Sequence, residues 1–371
     1  MLLLIACSFL FIGYAALILF YKRGWERLGA FSKTDSATAY RVKVSVIIAA
    51  RNEEGNIAQL LKALQLQTYP PDCFEVIVVD DHSTDLTTTR VLDYSSIQLI
   101  SLPDGITSKK KAISTGIEHA AGELIITTDA DCLPGTKWLE TIVHFYKEKN
   151  AQFIAAPVQY HYQNNLVELF QTMDFLTLQG ITAASVATNF HSMCNGANLA
   201  YTKQAFMNVN GFAGIDTVAS GDDMLLMHKI WKQHPQNVFY LKAPAAIVQT
   251  APMPTWKEFF WQRIRWASKT TAYDDKRIFW ALLLVYLFNL QFIVLAIAGF
   301  WNSLFWSAAL CLLVLKTAVE LPFFYSVAKF YHQQKLVRFF FLFQPLHILY
   351  TVVIGALSQT GSYQWKGRKT K

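Results

Sequence analysis

The chain has 371 residues, of which 53% are apolar, 14% aromatic and only 16% charged, with a formal net charge of +7. This is greasier than an ordinary soluble domain, so a bilayer is part of its solvent, and the length allows one large domain beside membrane segments. Lys and Arg flanking those segments account for the positive charge, so no nucleic-acid partner is expected, and five scattered cysteines (Cys7, Cys73, Cys132, Cys194, Cys311) imply no disulfide framework.

Leu2 to Tyr21 carries no charge and is long enough to cross ~30 Å of hydrocarbon as a helix. Lys22, Arg23 and Arg27 follow it, so it reads as an uncleaved anchor with its N-terminus outside and the next domain in the cytoplasm. Val42–Ala50, Phe74–Asp80, Ile97–Leu102, Glu123–Asp129 and, more weakly, Gln152–Val158 are predicted strands. Helical patterns at Glu53–Gln67, Asp85–Ser95 and Ser108–Ala121 separate the first four, which predicts an α/β, mostly parallel, Rossmann-like sheet with helices on its faces and ligands at the carboxyl ends of the strands. A long helix-compatible stretch near Asn164–Thr188 carries no motif. Trp256–Lys269 is aromatic and basic, the composition of a helix lying at a membrane surface.

Ile278–Phe300, Ser303–Val327 and Leu336–Leu357 are long hydrophobic segments. If all of them and the first segment cross, both termini lie outside, yet the tail carries Lys366, Arg368, Lys369 and Lys371, which belong in the cytoplasm. Leu336–Leu357 contains Arg338, Gln344, Pro345 and His347 and is expected to bend back as a re-entrant or interfacial helix. Lys316 and Glu320, four apart in the preceding segment, either serve a transport function or pair with each other.

Charged motifs fall at the predicted strand ends. Asp129 and Asp131, one residue apart, can converge on a hard cation through oxygen ligands; alone, two acids ending a strand also make a turn or a cap. Arg51, Asn52, Glu53 and Glu54 follow the first strand, and Asp80, Asp81, His82, Ser83, Thr84 and Asp85 follow the second. Capping explains Ser83, Thr84 or Asp85, but adjacent Asp80 and Asp81 repel each other unless a donor or cation satisfies them.

In this order and spacing, ARNEE, VVDDHSTD and TTDADC resemble the nucleotide-binding GT-A fold of the family 2 glycosyltransferases. The resemblance implies that Asp80 or Asp81 contacts the base or ribose, that Arg51 and Glu53 line the nucleotide pocket, and that Asp129 and Asp131 hold Mg2+ or Mn2+ with the diphosphate. Lys109 matches the family's basic residue before an Ala-x-x-x-Gly helix, although this chain has Ser108 where the family usually has Gly, and Lys110 is an alternative. Asn195–Ala200 is similar to the acceptor loop, and Ser220-Gly221-Asp222-Asp223 to the motif whose last acid, Asp223, is the general base. Gln262-Arg263-Ile264-Arg265-Trp266 resembles the Gln-x-x-Arg-Trp motif of cellulose, hyaluronan and ceramide-glucosyl synthases; it assigns Gln262, Arg265 and Trp266 to the catalytic set, with Arg265 on the diphosphate and Trp266 against an acceptor.

The expectation is an inverting, metal-dependent hexosyltransferase using a nucleotide-diphosphate sugar and a lipid or glycan acceptor, in a plasma or inner membrane. Its parts would be an anchor at 1–22, a cytoplasmic GT-A domain at 41–250, interfacial helices at 251–277, membrane helices at 278–358 and a basic tail at 359–371. A processive polysaccharide synthase and a non-catalytic scaffold or transporter are the alternatives.

Overall fold

A computed structural model describes the chain except residues 33–39, 164, 191, 216–220, 269–274, 359–362, 366–367 and 371. It divides into two compact units: Gly29–His161 with Ser192–Ala251, and Met1–Leu28 with Tyr162–His191 and Pro252–Lys371.

In chain order, α1 (Leu2–Arg27) precedes β1 (Val44–Ala50), α2 (Ile57–Gln65), β2 (Phe74–Asp80), α3 (Thr87–Leu92), β3 (Ile97–Ser101), α4 (Lys109–His119) and β4 (Leu124–Asp129). Then come β5 (Leu133–Pro134), α5 (Trp138–Lys149), β6 (Phe153–Ala155), β7 (Val158–Tyr160), α6 (Leu166–Ala187), β8 (Leu199–Thr202), α7 (Lys203–Asn208) and α8 (Asp222–Gln233). β9 (Val238–Tyr240), β10 (Val248–Thr250), α9 (Trp256–Ala267), α10 (Lys276–Ala298), α11 (Leu304–Phe330), α12 (Phe340–Leu357), β11 (Tyr363–Trp365) and β12 (Arg368–Thr370) complete the chain.

The first unit is the α/β domain. Its main sheet has the order β3-β2-β1-β4-β8-β6-β9, parallel from β3 to β4, with β8 antiparallel to both neighbours. Val46, Ile47, Ile48, Ile77, Val78 and Val79 are fully buried, as strands covered on both faces require. The chain steps outward from β1 to β3 and then crosses back to β4, so a crevice opens between β1 and β4 at their carboxyl ends. The predicted strand at Gln152–Val158 is two strands in different sheets: Pro157, which has no N–H to donate, separates β6 in the main sheet from β7 in a small sheet of order β5-β10-β7. On α4, a Cβ at Gly116 would lie 2.5 Å from the Ile47 side chain. Its absence lets the helix lie close on β1, which carries Lys109 to the crevice.

In the second unit, α1, α10, α11 and the stretch Gln334–Leu357 are long and apolar enough to cross a membrane. α6, from the stretch without a motif, groups with these helices although the sequence places it inside 41–250. Asn165 caps it, its side chain accepting from the Glu168 N–H at 2.9 Å. Lys316 and Glu320 pair at 2.7 Å, the Tyr14 hydroxyl donates to Glu320, and the Gln344 amide bridges the two, donating to Glu320 at 2.6 Å and accepting from Lys316 at 2.5 Å. This network satisfies the buried charges within the helices themselves. α12 is a continuous helix through Pro345, so the chain does not reverse within it; a 3-10 turn at Gln334–Phe339 precedes it.

Candidate active site

The strand register brings the predicted site residues of the α/β unit to one edge. Ala50 is paired with Asp80 and Ala49 with Asp129, so the loops after β1, β2 and β4 start at the same level.

Asp80 and Asp81 are both buried but differ in their partners. The Asp80 carboxylate accepts from the Ser83 N–H at 3.1 Å, closing its own turn. The Asp81 carboxylate accepts from the Thr107 hydroxyl at 2.6 Å and lies 3.6 Å from the Arg51 guanidinium, which also donates to the Asp81 carbonyl at 2.9 Å. Separate donors thus relieve the repulsion expected between neighbouring acids. The loops brace each other: the Asn52 N–H donates to the Ser83 hydroxyl at 2.9 Å, the Thr84 N–H to the Asn52 side chain at 2.8 Å, and the Glu53 N–H to the Thr87 hydroxyl at 2.7 Å. Asn52 and His82 make these sharp turns with φ of 53° and 57°. Asp85 accepts from the N–H of Thr87, the first residue of α3, at 3.0 Å, while the cap position itself is Leu86, which makes no side-chain bond, rather than Ser83, Thr84 or Asp85.

Asp129, Asp131 and Cys132 bring their ligand atoms within 4.8 Å of one another. Burial, then the charges of Asp129 and Glu53, push the Asp131 carboxyl up to about 6. Three crowded acids in a partly desolvated corner suit a hard divalent cation, so the residues fit Mg2+ or Mn2+. Burial also raises the Cys132 thiol well above its usual range. It stays protonated at neutral pH, leaving the carboxylate oxygens as ligands. Thr250 adds a hydroxyl that donates to Asp131 at 3.3 Å.

The Lys109 ammonium donates to Asp129, whereas Lys110 donates to the Ile215 carbonyl. Burial works to lower the Lys109 pKa, but Asp129, Asp222 and Asp223 outweigh it and hold the ammonium charged. On the far side of Lys109 lies the loop opening at Asn195. A Cβ at Gly196 would come 3.2 Å from Lys109 Nζ, so that the ammonium would have to give by a few tenths of an ångström, and 3.5 Å from Asp223, an ordinary contact. The Gly196 N–H donates to Asp223 at 2.9 Å, and Asp222 and Asp223 open α8, where the helix dipole favours carboxylates. Ser220 lies outside the described residues.

Sequence reasoning missed Asn198 as the anchor of this loop. Fully buried, its amide donates to the Pro157 and Ala246 carbonyls, each at 2.8 Å, and accepts from the Trp138 indole at 3.0 Å. Thr107, Cys132 and Thr250 were missed too, having no local pattern. Gln262, Arg265 and Trp266 lie on α9 in the other unit, each half-buried, while Arg263 and Ile264 are buried.

Comparison with known proteins agrees with this geometry. Residues 45–215 match the family described as glycosyl transferase family 2. The chain is 35% identical over 124 residues to glycosyltransferase AglE of Haloferax volcanii, covering 33% of this chain and 41% of AglE. It is 28% identical over 239 residues to the probable glycosyltransferase YdaM of Bacillus subtilis, covering 61% of this chain and 54% of YdaM. The chain thus spans about half the length of the curated relatives it matches. The mannosyltransferase PcManGT from Pyrobaculum calidifontis, solved with GDP-Man and Mn2+, superposes with a TM-score of 0.58 at 21% identity, covering 95% of this chain and 98% of that one. The α/β unit therefore has the GT-A fold. Residues 45–215 therefore match a family 2 glycosyltransferase domain, the family that the sequence motifs resemble.

Proposed function

We propose that the protein is a metal-dependent, inverting hexosyltransferase that moves a sugar from a nucleotide-diphosphate sugar to a membrane lipid or membrane-presented glycan. The observation that carries this reading is Lys109: its ammonium bonds Asp129 and lies beside Gly196, whose N–H holds Asp223. One cation therefore links the acids suited to a metal-diphosphate with the acid suited to a general base. PcManGT, which shares the fold, was solved with a nucleotide sugar and Mn2+.

In this reading Asp80, Asp81, Arg51 and Glu53 bind the nucleoside. Asp129 and Asp131 would hold Mg2+ or Mn2+, which when bound neutralises charge on the departing diphosphate. Lys109 adds fixed positive charge beside that group. Asp223 takes the proton from the acceptor hydroxyl as its oxygen attacks the anomeric carbon, and the bond to the diphosphate breaks in line, inverting the configuration. Gln262, Arg265 and Trp266 join the catalytic set on their motif, with Trp266 offering an apolar face to the acceptor. The four long apolar helices among the described residues support a multi-pass membrane protein, and Lys22, Arg23 and Arg27 in the last turns of α1 support a cytoplasmic catalytic domain.

The test is incubation of the purified protein with labelled nucleotide sugars, Mn2+ and a membrane lipid extract, followed by mass spectrometry of products. A lipid carrying one added sugar is expected. A long polymer would favour a processive synthase, and no transfer from any donor would overturn the reading.

A further inference from the structure

The helix that carries Gln262, Arg265 and Trp266 is held by a buried ion pair that no motif describes. Arg263, inside the motif but not one of its defining residues, is 3% exposed, and its guanidinium lies 2.7 Å from the Asp174 carboxylate on α6. The same guanidinium lies over two rings of its own helix, 4.2 Å from the Trp266 centroid and 4.9 Å from that of Phe259. Phe259, Arg263 and Trp266 are spaced i, i+4, i+7 and so share one face of α9. Phe175, next to Asp174, brings its ring 6.3 Å from Trp266, and Phe170 lies edge-on to Phe259 at 5.8 Å. Gln171 clasps the entry to α9, its amide donating to the Met253 carbonyl at 2.8 Å and accepting from the Met253 N–H at 3.0 Å.

Burying a carboxylate and a guanidinium costs more than an apolar contact of the same size, so stability alone is a poor reason for the pair. What the pair offers instead is placement of the guanidinium between a carboxylate and a ring. A planar guanidinium can pair with a carboxylate at its edge and stack a ring on its face, which lysine cannot do. The Asp174 carboxylate lies against the guanidinium, and the guanidinium lies over the Trp266 indole.

We propose that Asp174 and Arg263 are positioning residues: α6 sets, through this pair, the orientation of Trp266 and thereby the rate of sugar transfer. The consequence for rate rests on the function proposed above; the consequence for the indole does not. An error of about 1 Å at a substrate-positioning group costs on the order of a hundredfold in rate.

The test uses the full-length protein in detergent, labelled with 5-fluorotryptophan, with the Trp266 resonance assigned through Trp266→Phe. Asp174→Asn and Arg263→Lys are each expected to shift or broaden that resonance. Both are expected to lower kcat by ~10-fold to 100-fold while the donor KM stays within about twofold. If Asp174 acts through Trp266, Asp174→Asn costs little further in the Trp266→Phe background. An unmoved resonance in folded Arg263→Lys protein, or additive losses in the double variant, overturns the proposal. Should Asp174→Asn fail to fold, Arg263→Lys alone decides it, since it keeps the buried charge. Absence of transfer by the wild-type protein would defeat the proposed function, and the resonance would still test the pair.

Discussion

The carboxylate of Asp223 accepts the backbone N–H of Gly196 through one oxygen at 2.9 Å and the N–H of Met224 through the other at 2.8 Å. These bonds hold the group at the start of α8 beside Lys109, away from the turn that contains Asp80. Asp223→Asn keeps the size of the side chain and removes the basic oxygen. Transfer is expected to fall by on the order of a hundredfold or more, with nucleotide-sugar affinity within about twofold of wild type. Calorimetric donor titration and initial rates measure the two effects separately, and unchanged turnover would remove Asp223 from the base role.

Asp131 gives a pH-dependent prediction. Burial first, then Asp129 and Glu53, raise its carboxyl to about 6, above the usual value near ~4 for an unfolded chain. Between these values the folded state holds a proton that the unfolded state has lost, so this group favours the metal-free fold as pH falls and that contribution is lost as pH rises through about 6. A divalent cation competes with the same proton. Saturating Mn2+ should therefore raise the melting temperature more at about pH 7.5 than at about pH 5, and Asp131→Ala should abolish most of the gain. Equal shifts at both pH values would contradict metal binding at Asp131.

Ser108 occupies a backbone conformation of φ 155°, ψ 155°, a region used almost only by glycine, and it stands where the resembling family usually has Gly. Such a residue stores strain of order 1–3 kcal/mol. Its hydroxyl returns part of this by accepting from the Lys111 N–H at 3.2 Å, yet exchanging a serine N-cap for glycine costs only a few tenths of a kcal/mol. Ser108→Gly is expected to stabilise the protein by about 1 kcal/mol, read as a higher melting temperature. A lower one would show that the cap matters more than the strain.

The parallel half of the GT-A sheet was legible because β1, β2 and β4 are largely apolar runs ending in charged motifs, and strand pattern with end chemistry fixes both strand and ligand edge. What joins the far half was not legible. Pro157 divides one apolar run between two sheets, and Asn198 is anchored by Trp138, Pro157 and Ala246, residues far apart in sequence. Asp174 was invisible for the same reason. In sequence it is an acid in the middle of a largely apolar helix, and it acquires meaning only when Arg263 is seen beside it.

The last prediction concerns α12, where charge and length disagree. By length and hydropathy Gln334–Leu357 qualifies as a span, and crossing would leave the tail's Lys366, Arg368, Lys369 and Lys371 outside. Its aromatic contacts favour the other outcome. Tyr350, past the middle of α12, stacks on Phe259 at 5.3 Å and meets Phe260 at 6.1 Å, both on α9. α9 also carries Lys257 and Arg265 away from its buried face, a composition suited to the membrane surface. These contacts with α9 support a helix that stays beside it and does not complete a crossing. We expect α1, α10 and α11 to span, α12 to lie against α9, and the tail to be cytoplasmic. The uncharged connection Gly299–Ser303 then falls outside, and Lys329, Lys335 and Arg338 fall inside. A single cysteine added after Lys371, in a chain whose native cysteines are replaced, should resist a membrane-impermeant thiol reagent on intact cells and react after permeabilisation. Modification from outside would establish four full spans and overturn this topology.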